Sequence, residues 1–169
     1  MAYLDVHAHS GRKSIFMYGP YFPLHCRNYM KIRTLPKLIS ERTEMFRFFS
    51  CKFKVEKYKE NCARIAIWRD FNITNCFTIE SSSFGFINKD RETVHLLTGL
   101  LQEFGECVVQ SIFEYNLIQE EDRRMKMALA KKLKAARKTK RMTIAEILGG
   151  ESSTKNKKNP TSPRSSDGE

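Results

Sequence analysis

The chain has 169 residues, 41% of them apolar, and a net charge of +11 at neutral pH, enough for one domain with an ordinary core. No run nears the roughly 18 apolar residues of a membrane helix, and no secretory signal opens the chain, so no membrane partner is expected. The five cysteines, Cys26, Cys51, Cys62, Cys76 and Cys107, are odd in number with no Cys-x-x-Cys pair, which argues for reduced thiols of an intracellular protein and against a disulfide framework.

Taken in chain order, AYLDVHAHS (2–10) reads as a short apolar strand with a polar end. GRKSIFMYGPYFP (11–23) reads as a loop with an apolar anchor, punctuated by Gly and Pro. RNYMKIRTLPKLISERTEMF (27–46) has helical spacing of Met30, Leu35, Leu38 and Ile39, with Pro36 near a helix start. CKFKVEKY (51–58) alternates and reads as a strand; ARIAIWRDF (63–71) reads as another, and CFTIESSS (76–83) as a third with a polar tip. ETVHLLTGLLQEFGECVVQSIFEYNLI (92–118) reads as a long amphipathic helix with Gly105 as a kink site. Alternation of strands and helices predicts an α/β fold.

From Gln119 onward the character changes. The last 51 residues hold 14 Lys or Arg against 7 Asp or Glu, so they carry +7 and the first 118 residues +4. EEDRRMKMALAKKLKAARKTKRMTIAEILGG (120–150) is rich in helix formers and would end at Gly149-Gly150. Residues 151–169 have no core-forming residues and are expected to be disordered. The boundaries expected are therefore 1–118, 119–150 and 151–169. The charge suits acidic partners such as RNA, anionic lipid or an acidic protein surface.

Four polar residues stand at the ends of apolar segments. His7 and His9 alternate onto one face of the first strand. His7 reads either as a metal ligand or as a hydrogen-bonded structural histidine. Glu80 at the tip of CFTI reads either as a general base or as a solvated strand end. Arg64, leading into IAIW, reads either as the floor of an anion pocket or as a surface arginine. Together, an imidazole, a carboxylate and a guanidinium suit zinc-assisted hydrolysis of an acidic peptide.

YLDVHAHSGRKSIFMYG, LPKLIS, CKFKVEKYKENCARIAIW and CFTIESSSFGF resemble, in that order, the C-terminal half of the catalytic domain of cytosolic carboxypeptidases, the deglutamylating branch of the zinc carboxypeptidases. The resemblance covers roughly residues 3–118. It implies a partial zinc-carboxypeptidase fold, a mixed sheet flanked by helices, followed by the basic helix and tail. By the family's Asp-x-His-x-His-Ser motif, His7 resembles the third Zn²⁺ ligand and His9 a pocket-lining residue. Glu80, in the Thr-x-Glu strand end, resembles the general base. Arg64 resembles the residue that selects an acidic side chain, and Tyr18, in Phe-Met-Tyr-Gly, a pocket-lining or structural residue. The substrates implied are glutamate-rich protein tails, tubulin foremost, in a cytoplasmic, microtubule- or cilium-associated setting.

The sequence departs from that family in one large respect. The family's upstream His-x-x-Glu has no counterpart: His7, His9, His25 and His95 are followed three residues on by Ser10, Arg12, Asn28 and Thr98. One imidazole does not hold catalytic zinc, which takes three protein ligands. The expectation is a chain that is incomplete and inactive alone, with the other ligands coming from a complementing N-terminal half. Smaller departures are Asn61-Cys62-Ala63 in place of Gly-Thr-Gly, and Gly11 in place of a basic residue. The alternative reading is a non-catalytic remnant whose basic helix, residues 123–141, binds an acidic surface such as a microtubule or RNA.

Overall fold

The computed structural model describes residues 1–149, with side chains through residue 140. The tail expected to be disordered, residues 151–169, lies outside the described residues. The elements in order are β1 (Ala2–His9), β2 (Phe16–Tyr18), α1 (Asn28–Arg42), two 3₁₀ turns (Phe48–Ser50 and Lys57–Lys59), α2 (Ala63–Phe71), β3 (Asn75–Ser82), β4 (Phe86–Ile87), β5 (Thr93–Val94) and α3 (Thr98–Gly149). Residues Met1–Glu120 form one compact unit and a second begins at Glu121. The architecture is α/β, with a mixed sheet and helices. No described helix is long and apolar enough to cross a membrane.

The sheet is ordered β1-β3-β2. β1 runs parallel to β3 with Ala2 opposite Asn75 through His9 opposite Ser82, and β2 runs antiparallel with Phe16 opposite Glu80 and Tyr18 opposite Thr78. The expected loop after β1 thus contains a three-residue strand, and its apolar anchor, Ile15, Phe16 and Met17, is buried. One face of the sheet, through Phe77, Ile79 and Met17, packs into a core with Ile32, Leu35 and Ile39 of α1 and Phe104 and Val108 of α3.

In α1 the buried residues are Ile32, Leu35, Pro36, Leu38 and Ile39, an i, i+3, i+4, i+7 stripe with Leu38 beside it. Met30, expected in that stripe, is 68% exposed. Pro36 lies inside the helix, not at its start. Its ring belongs to the buried stripe, so packing outweighs the backbone bond a proline cannot donate.

Two strands expected from the sequence are absent. Residues 63–71 are the helix α2, because a short apolar run fits either period and tertiary context decides. Ile65 and Ala66 donate backbone bonds to Cys62 at 2.9 and 3.0 Å, and Asn72 closes the helix in the left-handed region at φ 52. Residues 51–58 hold one bridge, Tyr18 to Lys52, and then a 3₁₀ turn. β2 is too short to offer a partner to more of them. The helix expected from residue 92 starts at Thr98, because Thr93–Val94 pairs with Phe86–Ile87 instead. This hairpin requires Gly85: φ is +92 there, and a Cβ would meet the Val94 carbonyl oxygen at 2.0 Å. α3 runs through Gly105 without interruption, to Gly149.

Candidate active site

Directly paired residues of neighbouring strands share a face. The two registers therefore place Asp5, His7 and His9 of β1, Thr78, Glu80 and Ser82 of β3, and Phe16 and Tyr18 of β2 on one face. His7 stands opposite Glu80 across strands about 4.8 Å apart. The strand tips are pinned at this end. Ser83 N–H donates to the His9 carbonyl at 2.9 Å, and Ser82 Oγ donates to the Arg12 carbonyl at 2.6 Å.

α2 crosses this face and brings in Arg64. The residue is only 4% exposed. Nη1 donates to Thr78 Oγ1 at 3.3 Å, and the group lies 5.4 Å from the centroid of the Tyr18 ring. Nε and Nη2 are buried and have no hydrogen-bond partner among the described residues. A cation taken from water with only a hydroxyl and a ring for company is costly, so this arrangement calls for an anion. On the ring's surroundings Lys59 also converges, with Nζ 4.4 Å from the same centroid. Arg64 was expected to lead into a strand; it is the second residue of a helix, and its side chain reaches the same sheet face. Neither Cys62, at φ −72, nor its neighbours needs a glycine's conformations, so the loss of the family's two glycines leaves ordinary backbone here.

The two histidines differ. His7 is 54% exposed at its side chain, and its Nε2 lies 2.8 Å from Asp5 Oδ1. That contact turns the ring and leaves Nδ1 as the atom for another partner. His9 packs edge-on against Phe16, with centroids 5.0 Å apart, and its Nε2 is buried without a partner among the described residues. Phe16 in turn meets Tyr18 at 5.5 Å. The Glu80 carboxylate is half-buried and makes no hydrogen bond or ion pair among the described residues.

No family model matches the chain. Cytosolic carboxypeptidase 2 of Danio rerio is 34% identical over 116 residues, covering 68% of this chain and 16% of the relative. Cytosolic carboxypeptidase 1 of Mus musculus is 33% identical over 138 residues, covering 69% of this chain and 11% of the relative. The crystal structure of a metallo-carboxypeptidase from Burkholderia cenocepacia superposes with a TM-score of 0.54 at 14% identity, over 68% of this chain and 30% of that one.

The chain belongs to the cytosolic carboxypeptidase family.

It corresponds to a partial region of that family, spanning 16% and 11% of the lengths of the two relatives above. As a cytosolic carboxypeptidase segment it holds His7, His9, Tyr18, Arg64 and Glu80 on or against one sheet face. Its described residues do not hold a whole metal centre. Among the described residues no group of three or more His, Cys, Asp and Glu side chains is arranged to bind a metal ion. His7, backed by Asp5, has the build of one ligand, since ligating imidazoles commonly give their other nitrogen to a carboxylate. That is one donor where a catalytic zinc takes three, so the described residues do not fit zinc by themselves.

Sequence reasoning gave no role to Asp5, Thr78 or Lys59. For Asp5 the signal was present as Asp-x-His on a strand, where a period of two aligns both side chains. Thr78 and Lys59 carried no comparable signal, because the ring and guanidinium they serve come from distant elements.

Proposed function

We propose that this chain carries one side of a metallocarboxypeptidase site of the protein-deglutamylating type, acting on glutamate-rich tails such as those of tubulin in the cytoplasm. The observation that carries this reading is the buried guanidinium of Arg64, unpaired at Nε and Nη2, beside the face that joins His7 to Glu80. A glutamate carboxylate supplies the missing acceptor, and a bidentate fit suits a guanidinium. Glu80 has the position and freedom of a general base. His7 contributes one ligand to Zn²⁺, and His9 and Tyr18 line the pocket. The remaining ligands come from outside the described residues, so the chain alone releases no glutamate.

The test is release of glutamate from a glutamate-tailed peptide by a form that also contains an upstream His-x-x-Glu. Zinc-dependent release that is abolished by Glu80→Gln, with Arg64→Met losing preference for glutamate over glutamine, is the expected result. A form that binds zinc and releases nothing sinks the enzymatic reading.

A second reading rests on a different observation. From Arg123 to Arg141 there are ten Lys or Arg and no Asp or Glu, and the residues from Arg123 to Lys140 are exposed. In this reading the segment is a binding module for an acidic surface such as a microtubule or RNA. Salt-sensitive binding that survives Glu80→Ala and disappears on deletion of residues 119–169 distinguishes it.

A further inference from the structure

The second unit carries more than charge. At about 100° per residue, Met125, Ala128, Leu129, Leu133 and Ala136 fall within one arc of α3, which Lys132 and Lys140 also enter and Lys126 borders, while Lys131, Lys134 and Lys138 take the opposite side. Met125, Leu129 and Leu133 are 61%, 58% and 53% exposed. The spacing is that of helix anchors read at i, i+4 and i+8. An acidic surface alone answers the lysines and leaves this stripe wet.

We propose that residues 123–140 dock as a helix into a protein groove with an apolar floor and an acidic rim, of the kind that calcium-sensing EF-hand proteins open. The proposal rests on the acidic-surface reading for its charge and adds the groove. Nine cations and no acidic residue in 123–140 call for a strongly acidic partner. Unbranched Met and flexible Leu suit an adaptable apolar floor. Nucleic acid fits less well, because residues 123–140 contain no aromatic side chain to stack on bases. A bilayer fits less well too. Its interfacial helices anchor through Trp, Phe and Leu, whereas this stripe is partly alanine and has Lys132 near its middle. In a groove, Lys132 and Lys140 lay their alkyl stems along the floor and reach past the anchors to carboxylates of the rim.

The full chain would be titrated into calcium-loaded calmodulin, used as the probe, by calorimetry at low and moderate salt. Binding is expected, and about tenfold or more weaker to the calcium-free probe, which keeps its acidic charge but closes its groove. Leu129→Gln with Leu133→Gln is expected to weaken binding at least about tenfold at unchanged charge. Both leucines are exposed, so circular dichroism should show the helix intact. Lys131→Gln with Lys134→Gln and Lys138→Gln should instead flatten the salt dependence. Equal affinity for both probe forms, or indifference to the leucine pair, overturns the groove and leaves a plain acidic surface. Absence of binding to the loaded probe overturns it outright, and capture by phosphatidylserine vesicles would then assign the stripe to a membrane surface.

Discussion

β1 and β3 are both eight residues long and paired residue for residue, and their surroundings could hardly differ more. β3 is buried at six of its eight positions, while no residue of β1 is. Ile79 and Val6 make the point, for they are opposite each other on one face, yet Ile79 is inside the core and Val6 is 69% exposed. β3 has a strand on each side, α2 across one face and the apolar core across the other. β1 has β3 on one side and, among the described residues, no strand on its other edge. The candidate site spans both strands. Glu80 and Thr78, to which Arg64 of α2 is bound, stand on the packed strand, and Asp5, His7 and His9 on the open one. Stability and half of the chemistry are therefore carried by different elements.

Substitutions should separate the two. Phe77→Ala removes a fully buried ring from β3 and is expected to cost about 3–5 kcal/mol in urea unfolding; a loss below about 1 kcal/mol would mean that β3 is not the structural centre. Next comes a pH effect beside β2, the other neighbour of β3. Burial pushes the Cys51 thiol up from 9.0 to about 12, against the opposing effect of the Met17 N–H it accepts. Its stabilising contribution is whole below pH 9, where folded and unfolded chains both keep the proton, and is lost as pH rises toward 12. Cys51 alone should lower stability by about 1 kcal/mol per pH unit between pH 9 and 11, and Cys51→Ser, which keeps an acceptor for Met17, should remove that share and leave the part due to Cys76, whose thiol burial lifts to about 11.

A smaller effect of opposite sign is expected at Arg64. Replacing this buried, half-satisfied cation by methionine should raise stability by about 1 kcal/mol while removing any affinity for a glutamate side chain. A marked destabilisation would show that the guanidinium is a structural element and not a vacant anion site. The smallest effect belongs to β1. Val6→Thr should change unfolding free energy by less than about 0.5 kcal/mol, and a larger loss would contradict the picture of an open strand.

Much of this was legible in the sequence, and the failures have physical reasons. β1 and β3 read correctly because each ends an apolar run in polar residues, and the motif order pointed to the family and its α/β fold. Residues 63–71 did not read correctly. Arg64 and Ile65 are both buried and adjacent, a pattern that mimics a strand buried on both faces. Alternation in residues 51–58 was real, but a strand also needs a neighbour, and β2 ends at Tyr18. Pro36 misled because its ring is counted as a helix breaker and here serves as core. For the site, His7, His9 and Glu80 were visible as strand ends. Their meeting on one face depends on register, which no local pattern carries, and the orphaned nitrogens of Arg64 depend on a helix the sequence did not announce.

The parallel pairing of β1 with β3 gives this site something like a reading frame. A substitution in β1 alters one side chain. Sliding β1 by one residue would set Val6 or Ala8 against Glu80 and turn both histidines toward the opposite face. Sliding it by two would restore the faces with Asp5 or His9 where His7 now stands. A single inserted or deleted residue in β1 is thus a larger chemical change than any exchange within it.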